Sequence, residues 1–337
     1  MYNINDIKSL HIEVTTRCNA RCPMCMRNYR GFEFNSGYPL TELSLLDIQR
    51  ILPPSFLSQI EEVNFNGNLG DFSSAKDAIQ IVNYILENSL CNIQIETNGS
   101  TNTPSWWEQL ANRRIQILFA LDGLEDTHKL YRQDTDWNKI IKNAQAVINN
   151  GGRAIWKFIP FEHNKHQIDQ CQKLAQELGF FDFVIYDQGR NEGPVYTRKG
   201  EFSHWIGTDG WPGGIPNIHK AVQDHISWFD PNRNMNLDIN ENASINCVAF
   251  EMNDLYIAAD GSVYPCCFVG FYPETMLQPG NSQIKPLVKQ NNALEYNLET
   301  CIKWFNELEK QWNLPDIKSG KPFICLQHCS QCRAPNA

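Results

Sequence analysis

The stretch that decides the fold is residues 10–25, LHIEVTTRCNARCPMC, in which an apolar strand-like run leads directly into three cysteines. Similar apolar runs recur along the first half of the chain, separated by segments whose apolar residues repeat every three to four positions. Such alternation is typical of parallel strands joined by right-handed helical crossovers. We therefore predict an α/β fold, a (β/α)6 partial TIM barrel over residues 1–190, with strands near 10–15, 62–66, 92–97, 115–121, 153–160 and 181–186.

Two glycines mark the ends of predicted helices. The helix after the fifth strand places Ile168, Cys171 and Leu174 on one face and ends at Gly179, where glycine allows a positive φ. The helix before that strand has the same pattern and ends at Gly151.

The second half of the chain differs in composition. Residues 191–245 are rich in Gly, Pro, Asn and Trp, which predicts a linker and loop region covering the active site. Two alternatives stay open for its aromatic residues Trp205, Trp211 and Trp228: they cover a substrate cavity, or they pack as ordinary core residues.

Residues 246–337 are predicted to form a small domain of their own. The sequence DLYIAADGSVYPCC, residues 254–267, predicts two short strands joined by a hairpin about Asp260–Gly261. A helix is predicted at about 294–313, and a final cysteine-rich run, CLQHCSQC, occupies residues 325–332.

Composition and charge exclude several classes of protein. The chain has 337 residues, of which 42% are hydrophobic, enough for a sizeable core. Its net charge of −9 argues against nucleic acid as the main partner, because phosphates attract basic proteins. No basic and apolar signal opens the chain, and no segment approaches the ~18 apolar residues of a membrane span. We expect a cytoplasmic protein that binds neither nucleic acid nor membrane.

Twelve cysteines need a reason, because cytosolic thiols stay reduced and form few disulfides. Most of them cluster, which favours metal or cluster ligation. The first group, Cys18, Cys22 and Cys25, follows the first strand, at the end where a β/α barrel carries its chemistry. Three thiolates do not close a structural zinc site, but they leave one iron of a 4Fe–4S cluster free. Structural zinc and free thiols remain alternatives.

The spacing Cys18-x3-Cys22-x2-Cys25 after the first strand resembles the signature of the radical S-adenosylmethionine (radical SAM) superfamily. The resemblance implies that these three cysteines hold a 4Fe–4S cluster whose free iron binds S-adenosylmethionine. It also implies that the backbone of Met24 contacts the adenine. The implied activity is reductive cleavage of S-adenosylmethionine to a 5′-deoxyadenosyl radical, which abstracts hydrogen from a substrate C–H bond.

Three later turns also resemble cofactor-binding turns of this superfamily. FNGNLGDF (65–72) follows the second strand, ETNGS (96–100) follows the third, and LDGLEDTHKLYR (121–132) follows the fourth. In the first of these, Asp71 stands where the family carries Glu. The implied cofactor-binding residues are Gly67, Asn68, Gly70, Asp71, Thr97, Asn98, Asp122 and Arg132.

The later cysteines resemble the auxiliary-cluster domains of the same superfamily, called SPASM and twitch. Cys247 is followed by 13 residues, Gly261, four residues and Cys266, which fits the opening pattern of these domains. The twitch type holds one cluster, so the resemblance implies a second 4Fe–4S cluster. Its implied ligands are Cys247, Cys266, Cys329 and Cys332.

Five cysteines are left outside these two sets, and one of them, Cys301, stands alone in the sequence without an assigned role. Cys267 and Cys325 are interpreted as packing residues or swapped ligands, or one of them as a thiol that donates a hydrogen atom. Cys91 and Cys171 are predicted to pack in the core. Zinc in the C-terminal set remains an alternative to a cluster.

The resemblance implies an oxidoreductase-type enzyme. An auxiliary cluster with four protein ligands suits electron transfer from a substrate radical, which favours dehydrogenation or ring or crosslink formation in a small metabolite or peptide. The alternatives are a radical peptide epimerase with a spare cysteine as hydrogen donor, and a nonenzymatic iron–sulfur or zinc scaffold. No leader-binding extension precedes the first strand, which weakens the peptide alternative. An external electron donor such as flavodoxin or ferredoxin is the implied partner.

Overall fold

A parallel sheet carries the first half of the chain. The computed structural model describes residues 2–32, 39–186, 193–207, 217, 218, 220, 222, 240–271 and 283–329. Its first six strands pair in chain order, all parallel, which confirms the predicted partial barrel. They are β1 (Ser9–Ile12), β2 (Glu62–Phe65), β3 (Asn92–Thr97), β4 (Ile115–Ala120), β5 (Arg153–Phe158) and β6 (Asp182–Ile185).

Helices connect these strands. They are α1 (Leu45–Ile51), α2 (Pro54–Leu57), α3 (Ala78–Asn88), α4 (Pro104–Glu108), α5 (Glu125–Tyr131), α6 (Trp137–Asn149) and α7 (Ile168–Glu177). The predicted helix ends are confirmed, because Gly151 and Gly179 adopt φ values of +79° and +82° just beyond α6 and α7.

Side chains alternate across the sheet and so separate the core from the barrel interior. On β3, Ile93 and Ile95 are fully buried in the core. Gln94 and Glu96 point to the opposite face and are only partly buried. The same alternation on β5 buries Ala154, Trp156 and Phe158 in the core and places Lys157 on the interior face.

Two cysteines predicted to pack in the core do so. Cys91 and Cys171 are 1% and 0% exposed. Burial raises the pKa of Cys171 to about 12, with the charges of Asp126 and Asp122 adding to the effect. Both residues are therefore packing residues, as expected.

Part of the region that the composition assigned to loop is a hairpin. Strands β7 (Gly193–Tyr196) and β8 (Phe202–Ile206) pair antiparallel as a separate two-stranded sheet. This hairpin was not predicted because β7 begins with Gly193 and Pro194, residues that are typical of loops. Trp205 lies on β8 with its ring 5.6 Å from that of Phe202, whereas Trp211 and Trp228 lie outside the described residues. The division of the chain at residues 190 and 245 remains a prediction.

The predicted hairpin of the second half is confirmed. Strands β9 (Asp254–Ile257) and β10 (Val263–Tyr264) pair antiparallel, and Gly261 between them has a φ of +85°. A Cβ at Gly261 would lie 2.6 Å from Cγ of Leu294, so the turn requires glycine. Strand β9 also pairs in parallel with β1, where Leu10 lies opposite Leu255. The hairpin therefore extends the barrel into one eight-stranded sheet, ordered β10-β9-β1-β2-β3-β4-β5-β6.

The prediction of one helix at 294–313 is wrong. The C-terminal helices are α8 (Val248–Glu251), α9 (Leu298–Cys301), α10 (Phe305–Gln311) and α11 (Phe323–Cys329). Between α9 and α10 the N–H of Phe305 donates to the carbonyl of Ile302 at 3.0 Å, a three-residue turn that interrupts the α-helical pattern. This turn helps to bury Trp304 and Phe305 together, with their rings 4.9 Å apart.

Across the described ranges, no helix has the length and apolar character needed to cross a membrane.

The fully buried side chain of Asn143 on α6 holds the turn after β3, so its loss is expected to destabilise the protein. Its Nδ2 donates to the carbonyls of Gly99 and Thr101 at 2.8 and 3.0 Å. We expect Asn143→Ala to lower the free energy of unfolding by about 1–3 kcal/mol, because the buried carbonyl of Gly99 loses its donor, while that of Thr101 keeps the N–H of Trp107. Urea unfolding of the anaerobically purified protein measures this.

The matched control is Asn150→Ala, which removes an exposed amide bonded to Ala146 near the end of the same helix. Equal losses in the two variants would contradict the role assigned to Asn143.

Candidate functional site

The first three predicted ligands lie in one loop at the carboxyl end of β1. The N–H of Cys25 donates to the carbonyl of Cys22 at 2.9 Å, and the side-chain amide of Asn28 donates to the same oxygen at 3.0 Å. Burial raises the pKa of the Cys18 thiol above its usual range, and the negative charges of Asp71, Cys22 and Cys25 raise it further. The three thiols are thus close enough to interact, and as thiolates they need a positive group between them.

Hydrogen-bond donors are directed at two of these sulfurs. The N–H of Ala20 and the side-chain amide of Asn98 lie 3.4 and 3.6 Å from Sγ of Cys18. The guanidinium of Arg132 lies 3.7 Å from Sγ of Cys22. Such donors stabilise thiolate charge in iron–sulfur sites. Three thiols on one loop with donors to their sulfurs therefore fit a 4Fe–4S cluster with one iron free of protein ligands.

The Asp71 carboxylate joins the turns after β2 and β3. One oxygen accepts hydrogen bonds from Ser73 and from the Thr97 hydroxyl at 2.9 Å, and the other accepts from the backbone and side-chain N–H groups of Asn98 at 2.7 and 2.8 Å. Asn98 in turn reaches Cys18. The structure thus brings the predicted residues Asp71, Thr97 and Asn98 together beside the cysteine loop, with the Asp71 oxygens already engaged by protein donors.

Glu13, at the end of β1, holds the turn after β2 and was missed from the sequence. Its Oε1 accepts from the N–H groups of Leu69 and Gly70 at 2.7 and 2.8 Å. Burial raises the pKa of this carboxyl, while these two hydrogen bonds oppose the rise. Gly70 is required here, because a Cβ would lie 1.7 Å from the carbonyl oxygen of Thr15. A carboxylate among the buried residues of the run LHIEV (10–14) is the signal that could have identified Glu13.

Glu13 also connects this turn to the second half of the chain. The hydroxyl of Tyr256 on β9 donates to Oε2 of Glu13 at 2.8 Å. The side-chain amide of Asn68 donates to that hydroxyl at 3.1 Å and to the carbonyl of Cys267 at 3.2 Å. The predicted residue Asn68 therefore points toward the hairpin β9–β10.

The turn after β4 reaches the cysteine loop through an ion pair. The fully buried Asp122 accepts from Nε of Arg132 at 2.5 Å and from the N–H of Ile159 at 2.7 Å. Arg132 in turn contacts Cys22. Burial lowers the pKa of the neighbouring His128 to about 3, and the Arg132 charge lowers it further. His128 is therefore neutral, and its Nδ1 accepts the N–H of Asp122 at 3.2 Å.

Met24 lies at the edge of a small apolar cluster beside the cysteine loop. It packs with Cys22 and Cys25 against Tyr131 and other buried residues, namely Ile159, Phe161, Val195 and Ile206. The last two come from β7 and β8, so the hairpin missed in the sequence forms one wall of the predicted site.

A charged pair lies on the interior face of the barrel, where sequence inspection assigned no function. Lys157 on β5 contacts the carboxylate of Glu96 on β3, across β4. Its ammonium lies 3.9 Å from the ring centroid of Tyr186, which follows β6. Glu96 directly precedes Thr97, so the pair lies one residue below the turns described above.

The second cysteine group surrounds a cavity in the C-terminal region. Four cysteines line it, together with apolar residues that include Leu308, Trp312 and Ile324: Cys247, Cys266, Cys325 and Cys329. A hydrogen bond with Cys329 lowers the pKa of Cys247 to about 7, and the N–H groups at the start of α8 assist. We call this the four-cysteine cavity. Its lining brings together three of the four predicted ligands, and the fourth, Cys332, lies outside the described residues.

Cys267 does not line the four-cysteine cavity. Burial raises the pKa of its thiol to about 11, and the charges of Asp254 and Glu13 add to this. In the part of the chain that the structure covers, no three His, Cys, Asp or Glu side chains are arranged to hold a single metal ion. Four thiols lining one cavity are a donor set that suits a 4Fe–4S cluster with four protein ligands.

Comparison with known proteins agrees with this geometry. The sequence profile of the radical SAM superfamily matches residues 12–170. A cysteine-type anaerobic sulfatase-maturating enzyme of Clostridium novyi (strain NT) is 22% identical over 279 residues, which cover 75% of this chain and 71% of that protein.

Two solved structures share the fold. The native anSMEcpe with bound AdoMet aligns with a TM-score of 0.55 at 16% identity, over 96% of this chain and 89% of that chain. Streptococcus suis SuiB aligns with a TM-score of 0.53 at 16% identity, over 81% of this chain but only 63% of SuiB. The profile match covers the cysteine loop and all the turns described after β2, β3 and β4. Residues 12–170 therefore form a radical SAM domain, the domain that takes S-adenosylmethionine and a 4Fe–4S cluster as its cofactors.

Proposed function

We propose that this chain is a radical SAM enzyme that oxidises a peptide, by dehydrogenation or by forming a ring or crosslink. One observation carries the proposal: the chain has two cysteine groups suited to clusters, and hydrogen bonds of Glu13 and Asn68 to Tyr256, and of Asn68 to the carbonyl next to Cys266, connect the elements that carry them. The cysteine loop suits cofactor cleavage and the four-cysteine cavity suits an electron acceptor.

When bound, S-adenosylmethionine and its cluster supply hydrogen-atom abstraction, and the auxiliary cluster supplies a site for the electron that the substrate loses. The chain's own residues hold and shield these groups. Cys18, Cys22 and Cys25 are the proposed ligands of the first cluster. Arg132 places a positive charge beside Cys22.

Cofactor contacts are proposed for the predicted residues of the three turns and for the Met24 backbone. Because the carboxylates of Asp71 and Asp122 are engaged by protein donors, they position the turns, and free backbone groups of those turns are left to meet the cofactor. Thr97 and Asn98 lie within the same network, beside Cys18. Gly67 allows the turn after β2 to fold closely on itself, and Gly70 allows it to approach Thr15, beyond β1.

A peptide substrate is supported by the similar proteins. SuiB has a structure bound to the precursor peptide SuiA, and anSMEcpe has one bound to AdoMet and the Cp18Cys peptide. In this chain, the barrel-interior pair of Glu96 and Lys157 lies next to the proposed cofactor turns. A partly buried ion pair gives little stability by itself. We infer that these two side chains contact polar groups of the substrate.

The reaction is tested by anaerobic reconstitution followed by incubation with S-adenosylmethionine, a strong reductant and peptides encoded next to the gene. The expected result is 5′-deoxyadenosine together with a peptide that has lost two hydrogen atoms, measured by mass spectrometry. Turnover of a small metabolite and of no peptide would overturn the peptide assignment.

An epimerase is the second candidate, because Cys267 is a thiol outside the four-cysteine cavity. An epimerase would leave the peptide's mass unchanged in ordinary water and would insert one deuterium from deuterated water. The same incubation, repeated in deuterated water, separates the two reactions.

Replacing Cys18, Cys22 and Cys25 with Ala is expected to remove one cluster and all cleavage of S-adenosylmethionine. Iron should fall from about eight to about four per chain, because each 4Fe–4S cluster needs its own thiolates. Iron analysis and chromatography of 5′-deoxyadenosine measure this. Replacing the core cysteine Cys91 with Ala is the control and should change neither value. Undiminished 5′-deoxyadenosine from the triple variant would refute the assignment.

Glu13→Gln is expected to weaken binding of S-adenosylmethionine about tenfold, which corresponds to ~1.4 kcal/mol. The reason is that the charged acceptor for the N–H groups of Leu69 and Gly70 is lost, so the turn after β2 is held less firmly. Equilibrium binding to the reconstituted protein measures the affinity. The matched control is Glu62→Gln on the exposed side of β2, which should bind as the parent does. Unchanged affinity in Glu13→Gln would show that this carboxylate does not position the cofactor turn.

A further inference from the structure

We propose that Cys325, and not Cys332, is the fourth ligand of the auxiliary cluster, together with Cys247, Cys266 and Cys329. The inference rests on the proposed function, because it assumes that the C-terminal region holds such a cluster. It changes the ligand set expected from the sequence, in which Cys325 was spare.

Helix α11 places Cys325 and Cys329 on one face. The two residues are four positions apart, so their side chains project from the same side of the helix, one turn apart. Both line the four-cysteine cavity. Both thiols can therefore bind one cluster in the cavity while α11 keeps its helical conformation.

Both ends of α11 are anchored to the segment that leads into Cys247. Before the helix, Nζ of the buried Lys321 donates to the carbonyls of Glu241 and Ala243, both at 2.9 Å. At its end, the N–H of Asn246 donates to the carbonyl of Cys329 at 2.9 Å. These contacts, one before α11 and one at its end, hold the helix against residues 241–246, which lead into Cys247. Cys325 and Cys247 therefore line the same cavity.

A buried donor beside the Cys325 thiol also favours a ligand there. Nε1 of Trp312 is buried and has no oxygen or nitrogen partner among the described residues, and its side chain interacts with the Cys325 thiol. Trp312 lines the same cavity. A buried N–H group beside a thiol suits a hydrogen bond to a cluster-bound sulfur, which is a common way to stabilise such a ligand.

Cys267 is excluded by its position. Although it neighbours Cys266 in the chain, it is absent from the cavity lining, and its carbonyl accepts from Asn68 on the barrel side. The acidic groups around its thiol are Asp254 and Glu13. Two adjacent cysteines thus face different surroundings, with Cys266 toward the cavity and Cys267 toward β1 and β9.

The experiment uses the 337-residue chain in which Cys18, Cys22 and Cys25 are Ala, so that only the auxiliary cluster remains. Cys325→Ala, Cys332→Ala and Cys267→Ala are added singly and the proteins are reconstituted anaerobically. Iron and sulfide content and the electron paramagnetic resonance spectrum of the reduced protein are measured. The parent is expected to hold about four irons with the spectrum of a 4Fe–4S cluster.

Cys325→Ala is expected to lose most of this iron, or to keep about three irons with an altered spectrum, because one corner loses its thiolate. Cys332→Ala and Cys267→Ala should match the parent. Cys301→Ala controls for the loss of a fully buried thiol, and circular dichroism verifies that each variant is folded.

Two results would overturn the inference: an unchanged iron content and spectrum in Cys325→Ala, or loss of the cluster in Cys332→Ala. A parent that binds zinc or no metal at all would instead overturn the auxiliary cluster itself, and the ligand assignment with it. The iron content of the parent therefore separates failure of the proposed function from failure of the ligand set.

Discussion

The carboxylate of Glu13 makes the interaction on which the two halves of the site depend. It lies at the end of β1, the strand that pairs with β2 on one side and with β9 on the other. Its two oxygens bind one group from each side: the turn after β2 and the hydroxyl of Tyr256 on β9. A buried carboxylate is costly unless all its partners are in place, so the turn and the hairpin must hold their positions together. This constraint couples the cysteine loop, which continues from β1, to the C-terminal region.

The turns around the cysteine loop are preorganised by charges that the protein itself satisfies. Asp71 accepts from residues of two turns, and Asp122 accepts from Arg132 and Ile159. Because these carboxylates have donors already, their cost of burial is met within the protein, and the backbone around them is held in one conformation. The sulfurs of Cys18 and Cys22 then lie next to N–H donors. The positions of these turns are thus held by hydrogen bonds within the protein.

The four-cysteine cavity is organised by a different means. Its walls are mostly apolar, and its thiols come from α11, from the start of α8 and from the end of the hairpin β9–β10. No local segment supplies more than two of them. The broken helix α9–α10 contributes Leu308 and Trp312 to the wall, and the turn between its two parts helps to bury Trp304 beside Tyr264 of β10, with the rings 6.1 Å apart. The cavity therefore exists only when these separate elements are packed together.

Features that depend on local spacing could be predicted from the amino-acid order. The alternation of apolar runs determined the parallel barrel, glycines determined the ends of α6 and α7, and the spacing of Cys18, Cys22 and Cys25 identified the superfamily. Tertiary structure alone decided the role of Glu13, which contacts residues 56 and 243 positions away, and the different surroundings of Cys267 and Cys325. It also decided that Asn68 turns toward the hairpin. The physical reason is that local patterns report which face of an element is buried, whereas these contacts depend on which elements meet across the sheet.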